Sequence, residues 1–126
     1  MENGPVAQPS LIALMRMDPA AWDSFSRGSA VRRAGRAGFL RNVAVALGNW
    51  GSELAVPALV AASCDDEPLV RGHAAWALGR IGSAEARAAL ADRLSLESDD
   101  AVRTEIEAAL ASTCQVTSAS DGATTR

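Results

Sequence analysis

Apolar side chains recur along the middle of the chain at helical spacing. Val70, Ala74, Ala77, Leu78 and Ile81 fall at i, i+4, i+7, i+8 and i+11, and Phe39, Val43, Ala46, Leu47 and Trp50 repeat the set. Such positions share one face of a helix, so each set predicts a helix with a single buried side. The two sets stand 31 residues apart, and Ala46, Leu47, Gly48, Gly51 and Ser52 recur at that offset as Ala77, Leu78, Gly79, Gly82 and Ser83. A partial third copy follows at an offset of 32, where Val70, Arg71, Ala77 and Leu78 reappear as Val102, Arg103, Ala109 and Leu110. Self-similarity at a fixed period is the signature of a repeat array.

The punctuation between the apolar sets predicts how each unit turns. Gly51 and Gly82 can adopt the left-handed backbone that closes a helix, and Ser52 and Ser83 can accept a backbone N–H as N-caps of the next. Second helices are predicted over about 53–63 and 84–96. Asp65-Asp66-Glu67-Pro68 and Glu97-Ser98-Asp99-Asp100 then bring the chain back and set acid at the following helix N-terminus, where the dipole favours it. The unit is helix, Gly-Ser turn, helix, acidic turn. Ala46, Ala77 and Ala109 are expected where neighbouring helices approach closely.

The fold class that follows is all-α, a short α-solenoid with an N-terminal helical cap. Tetratricopeptide and ankyrin units have similar lengths but other signature residues. The Val-Arg opening with ALGxxG resembles the short HEAT-like repeats of phycobilin lyases and related proteins. Residues 11–111 form the predicted domain, divided into a cap at 11–37, repeats at 38–67 and 68–99, and a partial repeat at 100–111. In the cap, 11–17 reads as a short helix. Asp18-Pro19 opens another with Trp22 and Phe25 on its apolar side, and Ser29 opens a third, SAVRRAGRAG, that carries arginines. Residues 1–10 and 112–126 lack periodicity and read as disordered tails.

Charge sharpens this picture. The chain has a net charge of -3, unevenly placed. Between Arg16 and Arg41 six arginines face only Asp18 and Asp23, whereas residues 42–126 hold six arginines against twelve acids. The basic end favours an anionic partner. No lysine is present, so every cationic side chain is a guanidinium fork suited to phosphate, a bias that a GC-rich genome would equally produce. Cys64 and Cys114 make neither a metal-ligand spacing nor a Cys-x-x-Cys pair. With no run of about eighteen apolar residues and no signal-peptide pattern in MENGPVAQPS, a cytoplasmic protein with reduced thiols and no membrane partner is expected.

Catalytic constellations are missing: no Schiff-base lysine, no glycine-rich phosphate loop, no nucleophile elbow, and one histidine without a placed partner. No catalytic residue and no metal ligand is assigned. The arginines carry more. Arg32 and Arg36 share a helix face, Arg33 is adjacent, and Arg27 and Arg41 flank them with no acid between 27 and 41. Such a cluster can track a nucleic-acid backbone or be a solvated face whose stems cover apolar surface, and the residues alone leave both open. Superimposing the repeats adds a stripe. Asn42, Val45 and Asn49 correspond to His73, Trp76 and Arg80, and then to Glu105, Ala108 and Ser112. These side chains could stack on bases or bond them, or be ordinary packing and capping groups.

One family carries these residues in the same order. Ser29-Ala30-Val31-Arg32-Arg33, Gly38-Phe39-Leu40-Arg41-Asn42, Ala46-Leu47-Gly48-Asn49 and the run from Pro68 to Gly79, PLVRGHAAWALG, resemble the C-terminal region of epoxyqueuosine reductase over about 11–110. The resemblance implies a part in queuosine biosynthesis, where that family reduces epoxyqueuosine at the tRNA wobble position with cobalamin and two iron–sulfur clusters held by an upstream part. Its helical C-terminal part helps hold the anticodon arm. By resemblance Arg32, Arg33, Arg41 and Asn42 are the leading RNA contacts and His73 the next, with Arg36 in the same cluster. The cluster-binding cysteines are absent, so no cofactor is expected on this chain. It reads as a fragment, a separately encoded piece completed by a catalytic reductase domain or chain, or a relative without the chemistry. The alternatives are a stand-alone HEAT-like protein-interaction scaffold and an enzyme of unknown type.

Overall fold

The computed structural model describes residues 11–27 and 35–125, with side chains up to residue 112. All regular structure among them is helical: α1 over 11–15, α2 (Pro19–Ser26), α3 (Gly35–Trp50), a 3-10 turn (Glu53–Ala55), α4 (Val56–Ala62), α5 (Pro68–Ile81), α6 (Ala84–Leu96) and α7 (Asp100–Thr125). Helices α3, α5 and α7 lie side by side in sequence order, and α4 and α6 pack behind them.

The turns follow the residues that predict them. Gly51 and Gly82 sit at φ 75° and 67°, and their N–H groups donate to Leu47 O and Leu78 O at 3.0 and 2.9 Å, closing α3 and α5. Ser52 Oγ accepts from Leu54 N and Ser83 Oγ from Ala86 N, both at 3.1 Å. Pro57 has no N–H to offer Glu53, so the second helix of the first repeat opens as a 3-10 turn before continuing as α4.

The predicted apolar faces form the core. Val43, Leu47, Val70, Ala74, Ala77 and Leu78 are buried, joined by Leu40, Leu59, Leu90 and Ile106, while Phe39, Ala46, Trp50 and Ile81 are half-buried. The closest approach between repeats falls on the glycine of Ala-Leu-Gly, a role the sequence reading gave to the alanines alone. A Cβ on Gly79 would stand 2.7 Å from Ala109 Cβ and 3.0 Å from its Cα; one on Gly48 would stand 2.7 Å from the Trp76 ring and 3.1 Å from Ala77 Cα. Glycine of one repeat thus seats the alanine of the next. Gly72 has open space around it, and Gly72→Ala should stabilise the chain by about 0.5–1 kcal/mol, read as a raised urea midpoint.

The cap docks through aromatic contacts. Asp18 accepts from Ala21 N at 2.8 Å to start α2, and buried Trp22 lies 5.2 Å from Phe39 on α3, with Phe25 completing a triangle. Two boundaries differ from expectation. Residues 35–38 are continuous with α3, so Arg36 rides on the first repeat helix; 28–34, with the rest of SAVRRAGRAG, lie outside the described residues. Helix α7 runs on through Thr125, and neither proline nor glycine stands between Asp100 and Asp121 to end it.

Candidate nucleic-acid interface

The acidic turns bind arginine within the fold. Arg71 donates from Nε and Nη2 to the two oxygens of Glu97, each at 2.8 Å, and from Nη1 to Asp65 O and Asp66 O at 2.8 and 3.1 Å. Its repeat equivalent Arg103 donates to Leu94 O and Glu97 O at 2.9 and 3.1 Å. The Val-Arg signature is therefore a clip between the start of a repeat's first helix and the turn beside it. Arg36 works in the same way: its guanidinium pairs with Asp65, and its Nε donates to Met17 O at 3.0 Å, tying α3 to both the cap and the first acidic turn. The acid that neutralises it stands 29 residues on, beyond the local window in which the cluster looked unopposed. Arg27 likewise pairs with Asp23.

Arg41 and Asn42 face outward from α3. Asn42 is exposed, and Arg41 Nε lies 3.4 Å from Asn42 Oδ1. Arg32 and Arg33 lie outside the described residues.

The stripe read from the superimposed repeats lines the concave features of the surface. Between α5 and α7 a cavity of about 460 Å3 is walled by Val45, Leu69, Val102 and Trp76, with His73, Asp99 and Glu105 as its polar groups. A smaller one of about 190 Å3 continues past Trp76 to Arg80, Ala108 and Ser112. Trp76 and Glu105 line both, and the Arg80 guanidinium stands over the indole at 5.6 Å. His73 Nδ1 is 3.1 Å from Leu69 O, a carbonyl that can only accept, which favours the tautomer with its proton on Nδ1 when the ring is neutral. Asn42 and Asn49 extend the stripe along α3 on either side of Val45 and are exposed.

The arrangement offers an aromatic wall, hydrogen-bonding groups and an adjoining arginine–asparagine pair. It joins His73 to Trp76, Arg80 and Glu105 on one surface and sets Arg36 apart as a fold-holding residue. The superimposed repeats mark Glu105 as the third-repeat counterpart of His73, and Leu69 and Gly72 stand one turn before His73 and Trp76 on α5, but Asp99 enters the groove only through the packing of α7 on α5. No group of three His, Cys, Asp or Glu among the described residues could hold a metal, and no helix there is long and apolar enough to cross a membrane.

Known proteins of this shape carry the same resemblance. Epoxyqueuosine reductase of Xanthomonas campestris is 43% identical over 74 residues, covering 58% of this chain and 21% of the enzyme. An uncharacterized protein of Geobacillus stearothermophilus is 32% identical over 108 residues, covering 84% of this chain and 50% of that protein. Among solved structures, epoxyqueuosine reductase with an epoxyqueuosine-modified tRNA-Tyr stem loop superposes at a TM-score of 0.75 and 27% identity, over 82% of this chain and 28% of that one. The chain spans about a fifth of the length of the reductase it matches and fits a partial C-terminal region of it. HEAT repeats match residues 28–111, two thirds of the chain: it belongs to the HEAT-repeat family.

Proposed function

We propose that this chain is a tRNA-binding HEAT-repeat module, akin to the C-terminal part of epoxyqueuosine reductase, which positions the anticodon arm for queuosine formation. The observation that carries the reading is the Trp76–His73–Arg80 surface beside Arg41 and Asn42, on a fold shared with a reductase solved with a tRNA stem loop. Arg32, Arg33 and Arg41 take phosphates, Asn42 takes sugar or phosphate oxygen, and His73 and Trp76 meet unpaired bases. Arg36 supports this surface from within, because its donors already face Asp65 and Met17. The chain acts in the cytoplasm by holding RNA, alongside a catalytic reductase domain or chain. Reduction itself belongs to that partner: iron–sulfur clusters need sets of cysteine thiolates, and two cysteines in the whole chain cannot supply one. Cobalamin is assigned to the partner as well.

A second reading, a protein-binding scaffold, draws support from the larger groove, whose charged lining is acidic. The test is an anisotropy titration of the chain with two stem loops, one carrying a queuosine-type anticodon and one not. Tighter binding of the first is expected, and Arg41→Ala should lower the slope of log affinity against log salt by about one. Equal binding of the two would detach the module from queuosine, and an unchanged slope would remove Arg41 from the contact set.

A further inference from the structure

Apart from the Trp76 indole N–H, the polar side chains of the groove between α5 and α7, Glu105, Asp99 and His73, offer acceptors. Glu105 is half-buried there, and its carboxylate makes no hydrogen bond or ion pair among the described residues. Asp99 Oδ1 already accepts from Val102 N at 3.0 Å at the start of α7, which leaves its other oxygen. In the neutral tautomer whose Nδ1–H faces Leu69 O, His73 presents Nε2 as an acceptor. The remaining walls are apolar, with the Trp76 indole standing between the two cavities. A ligand that fits must therefore be flat enough to lie against indole and must bring donors, not acceptors, to the Glu105 carboxylate.

We infer that this groove takes an unpaired guanine base, stacked against Trp76 with its Watson–Crick edge on Glu105. Guanine alone among the four RNA bases carries two neighbouring donors on one edge, N1–H and the 2-amino group, matching the two oxygens of a carboxylate as a guanidinium does. Adenine and cytosine set an acceptor nitrogen beside their amino group, and uracil flanks its one N–H with carbonyls, so each would turn a lone pair toward the acid. The cavity, about 460 Å3, falls within the usual range of small-ligand pockets. A carboxylate in the groove would give the acidic half of the chain a part in RNA binding: Arg41 on α3 holds phosphate, and the acid on α7 reads a base. The inference rests on the RNA-binding reading and adds a base-specific site to it.

The test uses the full chain and two labelled hairpin RNAs that differ at one loop position, guanosine in one and inosine, which lacks the 2-amino group, in the other. Wild-type chain should bind the inosine hairpin roughly tenfold more weakly, the scale of a lost bidentate base contact. Glu105→Gln, shown by circular dichroism to be folded, should bind both hairpins alike. Equal wild-type affinity for the two hairpins overturns the guanine site while leaving RNA binding intact, and so does a tenfold difference that persists in Glu105→Gln. Binding of an arginine-bearing peptide in the groove together with equal hairpin affinities would assign the carboxylate to a protein guanidinium instead. If the folded chain binds neither hairpin, the RNA-binding reading itself falls, and the guanine site with it.

Discussion

Gly79→Val should destabilise the chain by about 2–3 kcal/mol, the upper part of the usual overpacking range. The atoms a side chain would strike are Ala109 Cβ at 2.7 Å and Ala109 Cα at 3.0 Å, and the second is backbone. No rotamer change relieves that contact, so α7 must move away from α5. The shift would open the seam on which the groove is built. Urea unfolding followed by circular dichroism reads the loss as a lower midpoint. An unchanged midpoint would mean that α7 does not pack against Gly79 as described.

Glu97→Ala should cost about 3 kcal/mol at neutral pH, the low end of the penalty for removing one partner of a buried ion pair. The Glu97 side chain is 1% exposed and the Arg71 side chain 14%. Arg71 would keep its bonds to Asp65 O and Asp66 O, which holds the expected loss near that low end, but Arg93 would lose its pairing at 3.4 Å. The same pair sets an acid dependence. The Arg71 hydrogen bond holds the Glu97 carboxyl below its ordinary value; burial opposes the shift, and the Asp99 N–H and the charges of Arg71 and Arg93 reinforce it. At Asp65 burial pushes the carboxyl up, and the Arg36 hydrogen bond, the Glu67 N–H and the charges of Arg36 and Arg71 together outweigh it, again leaving it lowered. Lowered values in the folded state mean that both acids bind fewer protons folded than unfolded. Their contribution is complete above the ordinary carboxylate range, about pH 4–4.5, and is lost as pH falls through the folded values. The stability difference between wild type and Glu97→Gln should therefore narrow as the pH drops below about 4. A difference that stays constant into acid would show that the carboxylate is not the group that Arg71 holds.

Much of this architecture is legible from residue order, because its rules are local. The left-handed glycines, the serine caps and the helical apolar faces each depend on residues within a few positions of one another, and each appears in the fold where the spacing puts it. The all-helical HEAT-repeat array follows from the 31-residue self-similarity. What the sequence hides is set by contacts between repeats. The unopposed arginine cluster loses Arg36 to Asp65, an acid that no local count includes. The small alanines of Ala-Leu-Gly draw the eye, yet the steric requirement falls on the glycines facing them, visible only when two repeats are stacked. The stripe of His73, Trp76 and Arg80 was readable by superposition, and its third-repeat member Glu105 with it. Leu69 and Gly72 stand one turn before His73 and Trp76 on α5 and share their face, whereas Asp99 comes from a turn that only the packing of α7 on α5 brings to the groove.

The most direct test of the tRNA-binding account is an anisotropy titration of the full chain with a tRNA stem loop at several salt concentrations. Three arginines on phosphate, at about 0.7 to 0.9 released counterions each, predict binding whose log affinity falls with log salt at a slope of roughly -2 to -3. Absence of binding at low salt, by a chain that circular dichroism shows to be helical, would contradict it.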